Sequence, residues 1–207
     1  MKRIADKCAR IEGYKLTIEP ADFFNDRQYR PDLEWLILGY LTAALSATGR
    51  QAPEFAVKLD PPLPDFQTYL PSGFPFRQVE ITEVLRPDYQ RGKIYSDRAK
   101  RRQRSYSIPD PHPQPWRSFR EVLRSKLAKP YATDSWLLIY HNMWSFDFPV
   151  SIPWHERIFA ELRSWTHDSD TTCDITQSRY ESIYVVNSGG EAAVRLHPQW
   201  DIIRESP

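Results

Sequence analysis

Pro64-Asp65-Phe66-Gln67-Thr68-Tyr69-Leu70-Pro71-Ser72-Gly73-Phe74-Pro75-Phe76-Arg77-Gln78-Val79-Glu80-Ile81-Thr82-Glu83-Val84-Leu85 is the stretch on which the fold turns. Two β-type runs, Asp65 to Leu70 and Phe76 to Leu85, flank a turn marked by Pro71 and Ser72-Gly73. Side chains alternate faces along a strand, so Glu80 and Thr82 point one way while Val79 and Ile81 point the other. A turn near Ser72-Gly73 folds the Asp65 strand beside that of Glu80, and carboxylates from two neighbouring strands then converge. Two carboxylates within about 4 to 6 Å repel and raise one another's pKa unless a cation neutralises them. Oxygen-only ligation suits Mg²⁺ or Mn²⁺. Such an ion lowers the pKa of a bound water and stabilises charge on a phosphoryl oxygen. Glu83 points away from Glu80 and is the fallback acid should a bulge shift the register.

Upstream, Leu33, Leu36, Ile37, Tyr40, Leu41, Ala44 and Leu45 recur at three and four residues between Pro31 and Gly49, the pattern of an amphipathic helix. Phe55 to Leu59 reads as one more strand before Pro61-Pro62 and Pro64, and the close spacing of the three strands predicts an antiparallel meander. Residues 1–29 have no clean period and read as an N-terminal extension packed on a single domain spanning 30–207. Downstream, Trp116, Phe119, Val122, Leu123 and Leu127 share one face of a helix over Trp116 to Lys129. Trp136-Leu137-Leu138-Ile139-Tyr140 is too continuously apolar for an edge strand and belongs mid-sheet with both faces covered. A helix over Pro153 to Trp165 and strands at Ser182 to Val186 and Ala193 to Leu196, paired about Gly189-Gly190, complete a mixed α/β or α+β domain.

Charge is distributed unevenly along the 207 residues. The net charge of +1 comes from 28 Lys+Arg against 27 Asp+Glu. Arg86 to Lys129 holds 13 and 4 of these, net +9, which leaves 15 and 23 elsewhere, net −8. Such an asymmetry points to a polyanionic partner, against the commoner reading of a solvated helix face. Its densest part includes Arg91, Lys93, Arg98, Lys100, Arg101, Arg102 and Arg104, and alternating prolines follow from Ile108 to Pro115. The composition of residues 88–115 predicts an exposed, mobile, extended insertion. Seven Trp, eleven Tyr and ten Phe supply enough apolar surface for a folded core, which excludes an intrinsically disordered chain. The longest nearly apolar run, Trp35 to Leu45, falls short of the roughly 20 residues of a membrane span. The N-terminus lacks the apolar core of a secretory signal, and Cys8 and Cys173 form no CxxC pair, so the expectation is a cytoplasmic protein with neither disulfides nor a zinc ribbon.

Pro64-Asp65, the triplet Glu80-Ile81-Thr82 on the next strand, a helix carrying Glu34 before them and a helix carrying Lys126 after them together resemble the PD-(D/E)XK nuclease superfamily, the restriction-endonuclease-like fold. The resemblance runs from Pro31 to about Tyr140. Phe119-x-x-x-Leu123-x-x-Lys126-x-x-Lys129-Pro130-Tyr131 followed by Trp136 to Tyr140 is similar to the helix-to-strand passage of many small bacterial members. The resemblance implies an αβββαβ core, here with a C-terminal helix and strands, and Mg²⁺- or Mn²⁺-dependent hydrolysis of phosphodiester bonds in DNA by an endonuclease or exonuclease. It makes Asp65 and Glu80 metal ligands and Glu34 a support for the metal or its water shell. The family pattern wants lysine where this chain has Thr82. Some members supply that lysine from the following helix, which makes Lys126 the substitute and Lys129 the second choice. Arg91 to Arg104 would contact backbone phosphates without reading sequence.

Each element of the pattern also has an ordinary reading. Asp65 can simply open a strand, Glu80 and Glu83 can form a solvated edge, and Glu34, Lys126 and Lys129 suit the dipoles of their helix ends. It is their conjunction in the right order that favours a site. The same fold without catalysis, serving as a nucleic-acid-binding or protein-interaction module, is the alternative that Thr82 supports. RNA as the polyanion and a homodimer both stay open. The five histidines form no HxxxH or HxH pair, Cys173 has no histidine near it in sequence, and no phosphate-binding glycine loop is present.

Overall fold

Pro31 at the start of a helix and a glycine beyond its end fix the element on which the rest is built. The computed structural model describes residues 1–18, 23, 27–84, 115–129, 135–141, 160, 163, 164, 166, 169–187 and 193–204. A first strand β1 (Lys2–Arg3) leads into helix α1 (Ile4–Lys15), and helix α2 (Arg30–Ala47) follows a single 3-10 turn. Proline is tolerated in the first turn of α2 because the amide it lacks has no partner there. The helix stops at Gly49, whose φ of +68° is a left-handed conformation that glycine adopts without strain. Arg50 N–H then donates to Leu45 O at 2.9 Å and satisfies one of the last carbonyls.

Leu33, Trp35, Leu36, Ile37, Leu38, Leu41, Ala44 and Leu45 of α2 are all buried, so this helix is apolar around most of its girth. Such a helix must be covered on more than one side. The sheet covers one side and α1 the other, with Ile4 and Ile11 of α1 buried against it. Each fully buried leucine or isoleucine there contributes about 1.5–3 kcal/mol. Gly39 is the point of closest approach, because a Cβ on it would lie 2.3 Å from the Cys8 sulfur.

The sheet has eight strands in strictly sequential order: β1, β2 (Phe55–Lys58), β3 (Phe66–Tyr69), β4 (Pro75–Val84), β5 (Ser135–His141), β6 (Ser182–Asn187), β7 (Ala193–His197) and β8 (Asp201–Arg204). Strands β1 to β4 are antiparallel, β4, β5 and β6 are parallel, and β6 to β8 are antiparallel again. Parallel neighbours need a crossover. Helix α3 (Pro115–Leu127) lies in the first and α4 (Ser169–Thr176) in the second. Val79, Ile81, Trp136, Leu138 and Tyr140 pack in one core with α1 and α2. Val84, Leu137, Ile139, Ile183 and Val185 pack in another with Phe119 and Leu123 of α3 and Ile175 of α4. The fold is therefore mixed α/β, with helices on both faces of a mixed sheet.

The expected meander is present as β2, β3 and β4, and Ser135 to Tyr140 is buried throughout between two parallel neighbours. Residues 1–29, read as an extension, supply β1, which pairs Lys2 with Ala56, and the whole of α1. Strand β8 and α4 were not anticipated. The basic stretch of Arg91, Lys93, Arg98, Lys100, Arg101, Arg102 and Arg104 lies outside the described residues, as does the turn at Gly189-Gly190. Of the helix expected over Pro153 to Trp165, residues 160, 163 and 164 are described, in helical conformation. Among the described residues no helix is long and apolar enough to cross a membrane.

Candidate active site

The turn between β3 and β4 and a bulge next to it set the register on which the site depends. Gly73, with φ of +81°, donates its N–H to Leu70 O at 2.8 Å, and Leu70 N–H donates to Phe74 O at 3.0 Å. The turn pairs Tyr69 with Pro75, and a bulge between Gln67 and Tyr69 then shifts the register by one residue, so that Gln67 pairs with Gln78 and Phe66 with Val79. Continued by one residue, the same register sets Asp65 opposite Glu80. Asp65 is fixed there by its own side chain, since Ile81 N–H donates to Oδ2 at 2.7 Å. Its backbone is tied on the other side, where Leu59 N–H donates to Asp65 O at 2.9 Å.

Alternation along β4 sends Glu80, Thr82 and Val84 to the α3 face, where Glu80 is 6% and Thr82 8% exposed. Glu83 points to the other face and accepts from the Tyr140 hydroxyl at 3.1 Å. Buried carboxylates need a partner, and Glu80 takes the Lys126 ammonium on Oε1. Helical spacing explains how: Phe119 and Leu123 are buried against the sheet, and Lys126 follows Leu123 by three residues on the same face. Lys129 sits exposed past the end of α3. Thr82 is buried and carries no charge to the place where the resemblance wants a lysine.

Glu34 reaches the same region from α2. It is 5% exposed and is held by Arg30 Nε, which donates to Oε1 at 3.1 Å, and by the Lys58 ammonium on Oε2. Lys58 was not among the expected site residues. A lysine ending a short strand reads as solvated, and Lys58 is exposed, yet alternation places it on the face of buried Ala56, from which its ammonium reaches Glu34. Its ammonium also lies 5.6 Å from the centroid of Phe66, its partner across the β2–β3 ladder. Two positions before Glu34, Asp32 receives the Tyr14 hydroxyl and the Lys7 ammonium. Burial pushes the Asp32 carboxyl up, but these two bonds outweigh it and hold it below the ordinary value.

Asp65 behaves differently. Burial pushes its carboxyl above the usual range, the Ile81 amide pulls against this, and the charges of Glu34 and Glu80 push it further up. Lys58 is the cation that opposes them. Among the described residues Asp65 forms no ion pair. The charges of Glu34 and Glu80 thus both bear on Asp65, while Arg30 and Lys58 bond Glu34 and Lys126 bonds Glu80. Among the described residues no three acidic, histidine or cysteine side chains already stand in a group able to hold a metal ion. The donor chemistry is oxygen only, and a half-buried carboxyl disfavoured by two like charges is what a hard divalent cation relieves. Asp65 and Glu80 offer donors of that type.

The chain matches no family model, no curated protein and no solved structure.

Proposed function

We propose that this chain is a metal-dependent nuclease of the restriction-endonuclease-like type, hydrolysing phosphodiester bonds in DNA. One observation carries the reading: Lys126, from the helix after the meander, stands on Glu80, whose neighbour Ile81 holds the Asp65 carboxylate through its N–H. The element order α2, β2, β3, β4, α3, β5 agrees with the αβββαβ core that the resemblance implies. In this reading Asp65 and Glu80 hold a Mg²⁺ or Mn²⁺ ion, and Thr82 fills the family's lysine position without its charge. When bound, the ion supplies Lewis-acid stabilisation of a phosphoryl oxygen and a lowered pKa for water. Ile81 N–H fixes the Asp65 carboxylate by one oxygen. Lys126 brings a positive charge to the face of β4 where the phosphoryl group gains negative charge, and its bond to Glu80 orients both groups beforehand. Glu34 supports the site from α2, and the Arg91 to Arg104 segment supplies phosphate contacts.

A second reading is favoured by the same ion pairs. Glu34 and Glu80 already have lysines, so the site is internally compensated, as suits a fold retained for binding DNA or a protein without cutting. Incubation with plasmid and linear DNA in Mg²⁺ or Mn²⁺ separates the two. Cleavage that is lost in Asp65→Ala and Glu80→Ala, with the fold intact, is expected. Binding without cleavage in either metal would favour the second reading, and cleavage surviving in both variants would remove these residues from the site.

A further inference from the structure

Of the basic stretch from Arg86 to Lys129, the described part is α3 and the two residues after it. Residues 115–129 hold five cations, Arg117, Arg120, Arg124, Lys126 and Lys129, against Glu121 alone, net +4. Helical spacing sorts the bonded ones onto two flanks. Lys126 lies about 60° to one side of buried Leu123 and meets Glu80, whereas Arg120 and Arg124 lie about 100° to the other side of buried Phe119 and Leu123. Helix α4 faces these two arginines with a matching acidic pair. Asp170 and Asp174 each precede a buried residue, Thr171 and Ile175, and stand four residues apart, so they share a flank. Arg120 bonds Asp170, Arg124 Nε donates to Asp174 Oδ2 at 2.6 Å, and Arg124 Nη2 lies 3.9 Å from Asp170 Oδ2. The Arg124 and Asp170 side chains are 51% and 66% exposed, so the pairs meet in water, where each contributes little and salt screens it. A guanidinium fork binds phosphate oxygens by the same bonds as carboxylate oxygens, and a duplex backbone offers them at high charge density.

We infer that Arg120 and Arg124 are phosphate contacts for duplex DNA, and that Asp170 and Asp174 occupy them in the free protein as an intramolecular competitor. This rests on DNA being the partner, as proposed above, and not on cleavage. A short fluorescein-labelled duplex titrated with the full chain in EDTA, and followed by anisotropy, tests it. Arg120→Gln with Arg124→Gln should weaken binding about tenfold. Asp170→Asn with Asp174→Asn should tighten it about fivefold, since two weak pairs no longer have to be broken. That variant should also lose affinity more steeply between about 50 and 200 mM salt, because no released carboxylate takes up a cation as the DNA gives one up. In the background of the two glutamines the same asparagine pair should bring only the smaller gain that follows from removing any two acids. Circular dichroism checks each fold, and should the double glutamine variant not fold, Arg124→Gln alone, at an exposed position, carries the same expectation at about threefold. Equal tightening in both backgrounds would overturn the competition, and wild-type affinity in the folded arginine variant would overturn the contacts; either result leaves DNA as the partner. No binding of the duplex by the wild type at about 50 mM salt would overturn both this inference and the DNA reading.

Discussion

Removing the Lys126 ammonium is the perturbation whose cost the structure bounds most tightly. The Lys126 and Glu80 side chains are 16% and 8% exposed, which puts the pair near the buried end of the range. Exposed ion pairs contribute about 0–1 kcal/mol. Deleting one member of a buried pair costs about 3–5 kcal/mol, because the other charge is left without compensation. Glu80 keeps a further interaction, so Lys126→Ala should cost roughly 3 kcal/mol, the low end of that range. For a chain of this size that lowers Tm by about 6–12 °C. The reverse deletion, Glu80→Gln, should cost less, about 1–2 kcal/mol, because a lysine head on a flexible stem can turn toward water. Lys126→Ala with Glu80→Gln leaves no stranded charge, and the double variant should recover about 2 kcal/mol relative to the sum of the singles. Urea unfolding read by tryptophan fluorescence at pH 7 in EDTA measures all three, with an unchanged m value as the check on two-state behaviour. A loss under about 1 kcal/mol in Lys126→Ala, or strict additivity in the double variant, would refute the idea that this pair is buried and coupled.

Two further outcomes follow from the packing of α1 on α2. Gly39→Ala puts a Cβ 2.3 Å from the Cys8 sulfur and should cost about 1–3 kcal/mol despite alanine's better helix propensity, whereas adding Cys8→Ala leaves only a 3.5 Å contact and should restore stability; melting curves that show no cost, or no rescue, contradict this account. Burial first, then the Glu12 charge, with Lys7 opposing both, moves the Cys8 thiol up to about 11, and the thiol also donates to Trp35 O at 3.3 Å. The raised value keeps Cys8 protonated at pH 8 and lets its thiolate appear only as pH climbs toward 11, so iodoacetamide at pH 8 should label exposed Cys173 and spare Cys8. Peptide mass spectrometry showing equal labelling of the two at pH 8 would be the contrary result.

The parts of this fold that could be read in advance are those whose residues satisfy local rules. Helix α2 has proline at its start, glycine past its end and an apolar run between, and the meander is punctuated by Pro61-Pro62, Pro71 and Gly73. Asp65 and Glu80 were legible as residues of adjacent strands joined by one turn, whereas the bulge between Gln67 and Tyr69 that shifts their register has no local signature. What escaped notice depends on tertiary partners. Strand β1 is a Lys-Arg pair whose strand character comes from Phe55 and Ala56 alone. Helix α1 buries only Ile4 and Ile11 and so shows no stripe, and α4 buries little beyond Thr171 and Ile175. Lys58 was missed for the same reason, since its importance lies in Glu34, 24 residues away.

Because every strand lies beside its neighbours in sequence, the sheet can be laid down in the order of synthesis, with no strand inserted later between two already paired. Glu34, Lys58, Asp65 and Glu80 all belong to the portion ending at Val84, while Lys126 arrives only with the helix that follows. Glu34 therefore emerges together with its cations Arg30 and Lys58, whereas Glu80 is made before the Lys126 that faces it. The order of translation thus leaves Glu80 to wait for its counter-charge until α3 has been made.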